Sequence, residues 1–180
     1  MSDEWEFYFT SVNDKLASIL VDIGINSQVP DDDRPWLLRV WVHFPNADET
    51  GLPQATESEE FGPVEDALTE EVVNSMDAVL AGRITTAGRR EFFFYAPNFA
   101  GFEEAIARCL GNYPDYEWDF TNESDADWNH YSGLLYPGPA EWQQIFNRQV
   151  IEALVQNGDS LEKKRIVSHW AYFPDESSRG

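Results

Sequence analysis

From Trp36 to Phe44 the chain alternates with a period of two. Trp36, Leu38, Val40, Val42 and Phe44 fall on one face; Leu37, Arg39, Trp41 and His43 fall on the other, and Pro45 stops the run. This is a strand, and the order of the elements after it fixes the fold class. Thr56 and Glu59 have capping-box spacing, Gly62-Pro63 interrupts, and Pro63 opens a longer helix with Val64, Leu68, Val72 and Val73 at helical spacing. Residues 78–86 and 89–96 read as a hairpin around Ala87-Gly88. Asn98 is placed to cap a helix carrying Phe99, Phe102, Ala105, Ile106 and Leu110, closed by Gly111-Asn112. Residues 116–121 alternate again, with Tyr116, Trp118 and Phe120 inward. The order from 36 to 121 is therefore strand, helix, strand, strand, helix, strand. It predicts an α+β, ferredoxin-like sandwich: one antiparallel sheet with two helices on one face.

Two segments flank this unit. Residues 4–10 and 17–23 read as a hairpin around Asn13-Asp14 that extends the sheet, followed by an acidic loop at Asp31, Asp32 and Asp33. Pro137-Gly138-Pro139 marks a boundary, which divides the chain into residues 1–137 and 138–180. Beyond it, a helix over 139–156 places Trp142, Ile145, Phe146, Val150, Ala153 and Leu154 on one face, with Asn157-Gly158 as its cap. A strand over 163–173 then completes a helix–strand arm, and the end at Gly180 reads as cut rather than finished.

Phe92, Phe93, Phe94 and Tyr95 are consecutive, so their side chains serve both sheet faces. The two helices cover one face. The other needs the 139–156 helix, a short helix near Trp128, or a second copy of the chain, and a homodimer is one expectation.

Charge narrows the partners. The chain has 33 acidic against 12 basic residues and a net charge of −21, and residues 159–180 sum to zero, so residues 1–158 carry all of it. Such a field repels nucleic acid and anionic lipid and attracts basic proteins. No apolar run approaches the ~20 residues that span a bilayer, and no basic n-region opens the chain. A cytoplasmic location is expected. A lone Cys109 excludes an internal disulfide and a cysteine-rich zinc site, and its neighbours make it a buried helical thiol.

Two groups of side chains are candidate sites. Glu65, Asp66, Glu70 and Glu71 line the solvent side of the first helix and form a docking face for a basic partner. Asp125, Asp127 and His130 form the sharpest cluster among the three histidines; Asp127 and His130 lie i, i+3 on one helical turn, with Trp128 and Tyr131 beside them. The bland alternative is that Asp125 or Asp127 caps a short helix anchored by Trp128, Tyr131 and Leu135. His43 and His169 are strand-face residues. Arg83, Arg89 and Arg90 are expected to pair with neighbours such as Glu91. There is no nucleophile elbow, Walker sequence or G-x-G-x-x-G. No metal site and no cofactor is expected.

Trp5-Glu6-Phe7-Tyr8, Gly51-Leu52-Pro53, Gly82-Arg83, Phe94-Tyr95, Asp127-Trp128-Asn129-His130-Tyr131 and Leu134-Leu135-Tyr136-Pro137 together resemble bacterial proteins of domain-of-unknown-function family 695, over roughly residues 1–137. Ile151-Glu152-Ala153-Leu154, Gly158-Asp159, Arg165, His169-Trp170 and Phe173 resemble the opening of the B-type regulator of ribonuclease E activity. The second resemblance implies an acidic, ferredoxin-like inhibitor that binds the ribonuclease. The expectation is thus a non-enzymatic protein-binding or regulatory module. The alternative is a small-molecule binding protein or hydrolase with Asp127, Trp128, His130 and Tyr131 at its site.

Overall fold

Two tight turns set the sheet register. Asn13 and Asp14 have φ of 51° and 61°, and Ala87 and Gly88 have φ of 53° and 78°. Two central residues at positive φ make a type I′ turn, whose twist matches the strands it joins. The first turn joins β1 (Trp5–Val12) to β2 (Lys15–Asp22). The second joins β4 (Val79–Thr86) to β5 (Arg89–Ala96). Between the hairpins come β3 (Trp36–His43) and helix α1 (Ala55–Met76); after them come α2 (Phe102–Leu110) and β6 (Trp118–Ser124).

The computed structural model describes residue 2 and residues 4–162. The chain divides into two compact units, Met1–Phe146 and Asn147–Gly180. The first is a mixed α/β unit whose six strands form one sheet in the order β1-β2-β4-β5-β3-β6. Every neighbouring pair is antiparallel. Strands β3 and β4 flank β5, and β5 and β6 flank β3, so each helical crossover skips one strand. The first hairpin extends the sheet by pairing β2 with β4.

The alternation read from the sequence places Leu38, Val40 and Val42 with Phe92, Phe94 and Leu80 on one face, under α1 and α2. The helices contribute Phe61, Val64, Leu68 and Val72, and Phe102, Ile106 and Leu110. Cys109 is buried among them, and burial first, then Glu71, pushes its thiol up. The opposite face carries Tyr8, Ile19, Val21, Leu37, Phe93 and Tyr95. Its cover is the chain's own: Trp128, Tyr131 and Leu135 from a π-helical turn at Tyr131–Leu135 and its approach, and Ile145 from the first turns of α3 (Pro139–Gln156). The chain thereby covers much of the face that motivated a second copy. The first unit also extends past the Pro137-Gly138-Pro139 boundary, as far as Phe146.

Local details depart from expectation. Helix α1 starts at Ala55 with no side-chain cap and runs unbroken through Gly62-Pro63. A residue before proline normally avoids the helical region because its Cβ meets the proline ring. Gly62 has no Cβ, so the helix continues. Helix α2 starts at Phe102, later than Asn98, because Gly101 turns the chain with φ 86°. The Asn98 Oδ1 instead accepts the Ala100 N–H (3.0 Å) in the preceding turn. Helix α3 ends at Gln156, and Gly158 two residues on has φ of 82°, in keeping with the Asn157-Gly158 cap. The strand expected over 163–173, with His169, lies outside the described residues.

Candidate functional site

Helix α1 presents Glu59, Glu60, Asp66 and Glu70 to solvent. Of the four acids assigned to the docking face, Asp66 and Glu70 are therefore outward. Glu65 turns inward and pairs with Arg83 and Arg90, which rise from the sheet beneath it. Arg90 also donates from Nε to Thr85 Oγ1 (2.9 Å) and lies 5.1 Å from the centroid of the Phe61 ring. Burial pushes both guanidiniums down, Arg83 to about 9 with Arg90 beside it, and Arg90 to about 10. Both remain charged at neutral pH. Glu71 accepts from Ser75 Oγ (2.6 Å) and from Arg108 Nη2 (2.6 Å), and these bonds hold its carboxyl below the ordinary range.

Beside this helix lies a groove of about 540 Å³. Its floor is apolar, with Trp5, Leu20, Val73 and Leu80; Asp66 and Glu70 stand at its edge. The same strand face continues outward through Phe7, Phe9 and Leu16, which are 39%, 45% and 43% exposed. The cause is the added hairpin. Among the described residues of β1 and β2, only Trp5 joins the core beneath α1 and α2, so that face is covered only in part.

The second candidate cluster is rearranged. His130 pairs with Asp125, not Asp127: its Nδ1 lies 3.0 Å from Asp125 Oδ2, while Asp127 is exposed. Asp125 is a buried node. It accepts from Tyr95 Oη (2.7 Å), from the backbone N–H of Asn129 (2.8 Å) and from that of His130 (3.0 Å). Burial pushes its carboxyl up, but these hydrogen bonds outweigh burial and hold it at about 2. Trp128 and Tyr131 are core residues. Trp128 donates its indole N–H to the Arg34 carbonyl (3.1 Å), and Tyr131 its hydroxyl to the Asp22 carbonyl (2.9 Å). Burial pushes the Tyr95 and Tyr131 hydroxyls well up, so both act as proton donors in fixed bonds. The arrangement is a capped, anchored turn, which is the bland alternative that the sequence offered.

His43 Nε2 lies 3.3 Å from Asp119 Oδ2, at the exposed edge of the sheet. No group of three or more His, Cys, Asp and Glu among the described residues is placed to hold a metal ion. No described helix is long and apolar enough to cross a membrane.

Residues 3–136 match the model of a family of unknown function, DUF695. The chain belongs to that family. Residues 144–179 match in part a second model, Regulator of ribonuclease activity B. No curated protein and no solved structure matches the chain.

Within this DUF695 chain, the family match closes at Tyr136, just after the π-helical turn. The residues that carried the resemblance near that end, Asp127 to Tyr131 and Leu134 to Tyr136, build the cover of the second sheet face. Sequence reasoning missed the exposed strip of Phe7 and Phe9. The signal was available: aromatic residues at i, i+2 on a terminal hairpin that the two helices are too few to reach. Of the arginines expected to pair with neighbours such as Glu91, Arg83 and Arg90 pair with Glu65, and the Glu91 carboxylate takes Arg39 (3.2 Å).

Proposed function

We propose that this chain is a non-enzymatic, cytoplasmic protein-binding module that holds a basic, amphipathic segment of a partner protein in the groove beside α1. The observation that carries this reading is the pairing of an apolar floor with an acidic edge. Trp5, Leu20, Val73 and Leu80 offer apolar area to one side of a docked helix, and Asp66 and Glu70 meet the Lys or Arg on its flank. The exposed Phe7 and Phe9 lengthen the apolar track. The net charge of −21 steers such a partner to the surface. The interleaved order β4-β5-β3-β6 supports reading these four strands and the two helices as ferredoxin-like. The partial match to Regulator of ribonuclease activity B supports a ribonuclease as the partner class.

The test is fluorescence anisotropy with a synthetic Lys/Leu amphipathic peptide and its Glu/Leu counterpart. The basic peptide is expected to bind at low salt, to weaken as salt rises, and to lose affinity for the Asp66→Lys/Glu70→Lys double variant. Equal binding by that variant, or by the acidic peptide, overturns the reading. Sedimentation of the free chain distinguishes a homodimer that fills the same groove. Addition to a ribonuclease E assay tests the regulatory link: slower cleavage supports it and unchanged cleavage removes it.

A further inference from the structure

The opposite sheet face carries a site of the other sign. Its far end, under the Asn13-Asp14 and Ala87-Gly88 turns, is not reached by the aromatic cover. A cavity of about 480 Å³ opens there, lined by Lys15, Arg39, Trp41, Arg89 and Glu91. Three bases thus converge on one concavity in a chain with 12 bases and 33 acids. Arg39 is committed to Glu91 (3.2 Å) and Glu123 (3.1 Å). Lys15 and Arg89 make no ion pair among the described residues. The guanidiniums of Arg39 and Arg89 lie 5.2 Å and 5.6 Å from the centroid of the Trp41 ring, so one indole positions both.

Three donors in this wall are buried without a hydrogen-bond partner: Arg39 Nε, Arg89 Nε and Trp41 Nε1. Buried donors are almost always paired, and leaving three together unpaired is costly unless something supplies acceptors. We propose that this cavity binds a phosphate monoester. None of the three is open to water, so a shift of the Arg39–Trp41–Arg89 stack turns them to a ligand; with the Lys15 ammonium they then outnumber the two oxygens of a carboxylate but suit the three terminal oxygens of a phosphate. A small swing of Arg89 off the indole turns its Nε–H toward such a group. The two uncompensated cations, Lys15 and Arg89, match its dianion. Val12, Ile84 and Leu134 form an apolar wall for the organic part, and the volume is that of a small-molecule site. The acidic field of the whole chain does not forbid this. It is screened within about 10 Å in salt solution, whereas the cavity's own donors act at contact.

The test is a titration of the full-length, nitrogen-15-labelled chain with phenyl phosphate, read at the Trp41 indole and Arg89 Nε–H resonances. Saturable shifts at these two groups, with the other indoles unmoved, are expected. Arg89→Gln is expected to weaken binding about tenfold or more, as the loss of a charge-assisted hydrogen bond does. Lys15→Gln, at an exposed hairpin position, is expected to weaken it with the rest of the spectrum intact. Non-saturating shifts spread over Arg34 and Arg108 overturn the site. Tighter binding of benzoate overturns the phosphate assignment, and equal binding of inorganic phosphate overturns the role of the apolar wall.

Discussion

Tyr95 and Trp128 stack face to face, with ring centroids 3.7 Å apart and planes 5° from parallel. Trp128 reaches this position with a backbone φ of 54°, a region that bulky residues avoid. The stack and the indole bond to Arg34 hold it there. Trp128→Ala is expected to cost about 3–5 kcal/mol of folding stability in urea unfolding. Trp128→Phe keeps most of the stack and loses the indole bond, at about 1 kcal/mol.

Asp125 makes this region sensitive to acid. Its folded value of about 2 lies below the ordinary 3.8, so the carboxylate stabilises the fold fully above about pH 5 and loses that contribution as the pH falls through about 2. The difference is worth about 2 kcal/mol. Asp125→Asn is expected to lower stability at neutral pH by about that amount or more. The gap between variant and parent should narrow as unfolding is repeated from pH 5 toward pH 2.

Neighbouring acids on α1 are expected to behave in opposite ways. Glu65→Gln leaves the buried Arg90 and the half-buried Arg83 without a counter-charge, which costs about 3–5 kcal/mol. Asp66→Asn, one residue on and exposed, changes stability by no more than about 0.5 kcal/mol. Thermal unfolding of the two variants side by side separates the acid paired within the fold from the acid that faces solvent.

The Gly62-Pro63 step gives a sign reversal. Pro63→Ala restores an N–H inside α1 and is expected to stabilise by about 2 kcal/mol. Gly62→Ala is expected to destabilise while Pro63 remains, because its new Cβ meets the ring. After Pro63→Ala the same change is expected to stabilise by about 1 kcal/mol, since nothing else lies within 4 Å of that Cβ. A double-mutant cycle in denaturant reads this directly.

Period-two alternation made the sheet legible. Trp36 to Phe44 and Arg89 to Ala96 each serve two faces, and the structure buries them as the pattern requires. Element boundaries were less legible where glycine overrode a local rule: Gly62 carried a helix through proline, and Gly101 delayed one past its apparent cap. The candidate sites were half legible. Sequence separates charged from apolar residues but not inward from outward ones on a crowded helix, so Glu65 and Asp66 looked alike. The pairing of His130 with Asp125 was hidden because it depends on a left-handed turn at Trp128, which no propensity favours. The cationic cavity was hidden for another reason: Lys15, Arg39 and Arg89 come from three strands and meet only through the sheet.

Arg89 and Arg90 are consecutive residues of β5, yet one lies against Trp41 in the cationic cavity and the other beneath α1 with Glu65 at the acidic groove. The pleat of a single peptide unit thus joins two surfaces of opposite sign. Any tilt of that unit is felt on both sides at once. Thermodynamic reciprocity then applies: by whatever factor an occupant of the cavity changes affinity at the groove, an occupant of the groove changes affinity at the cavity by the same factor.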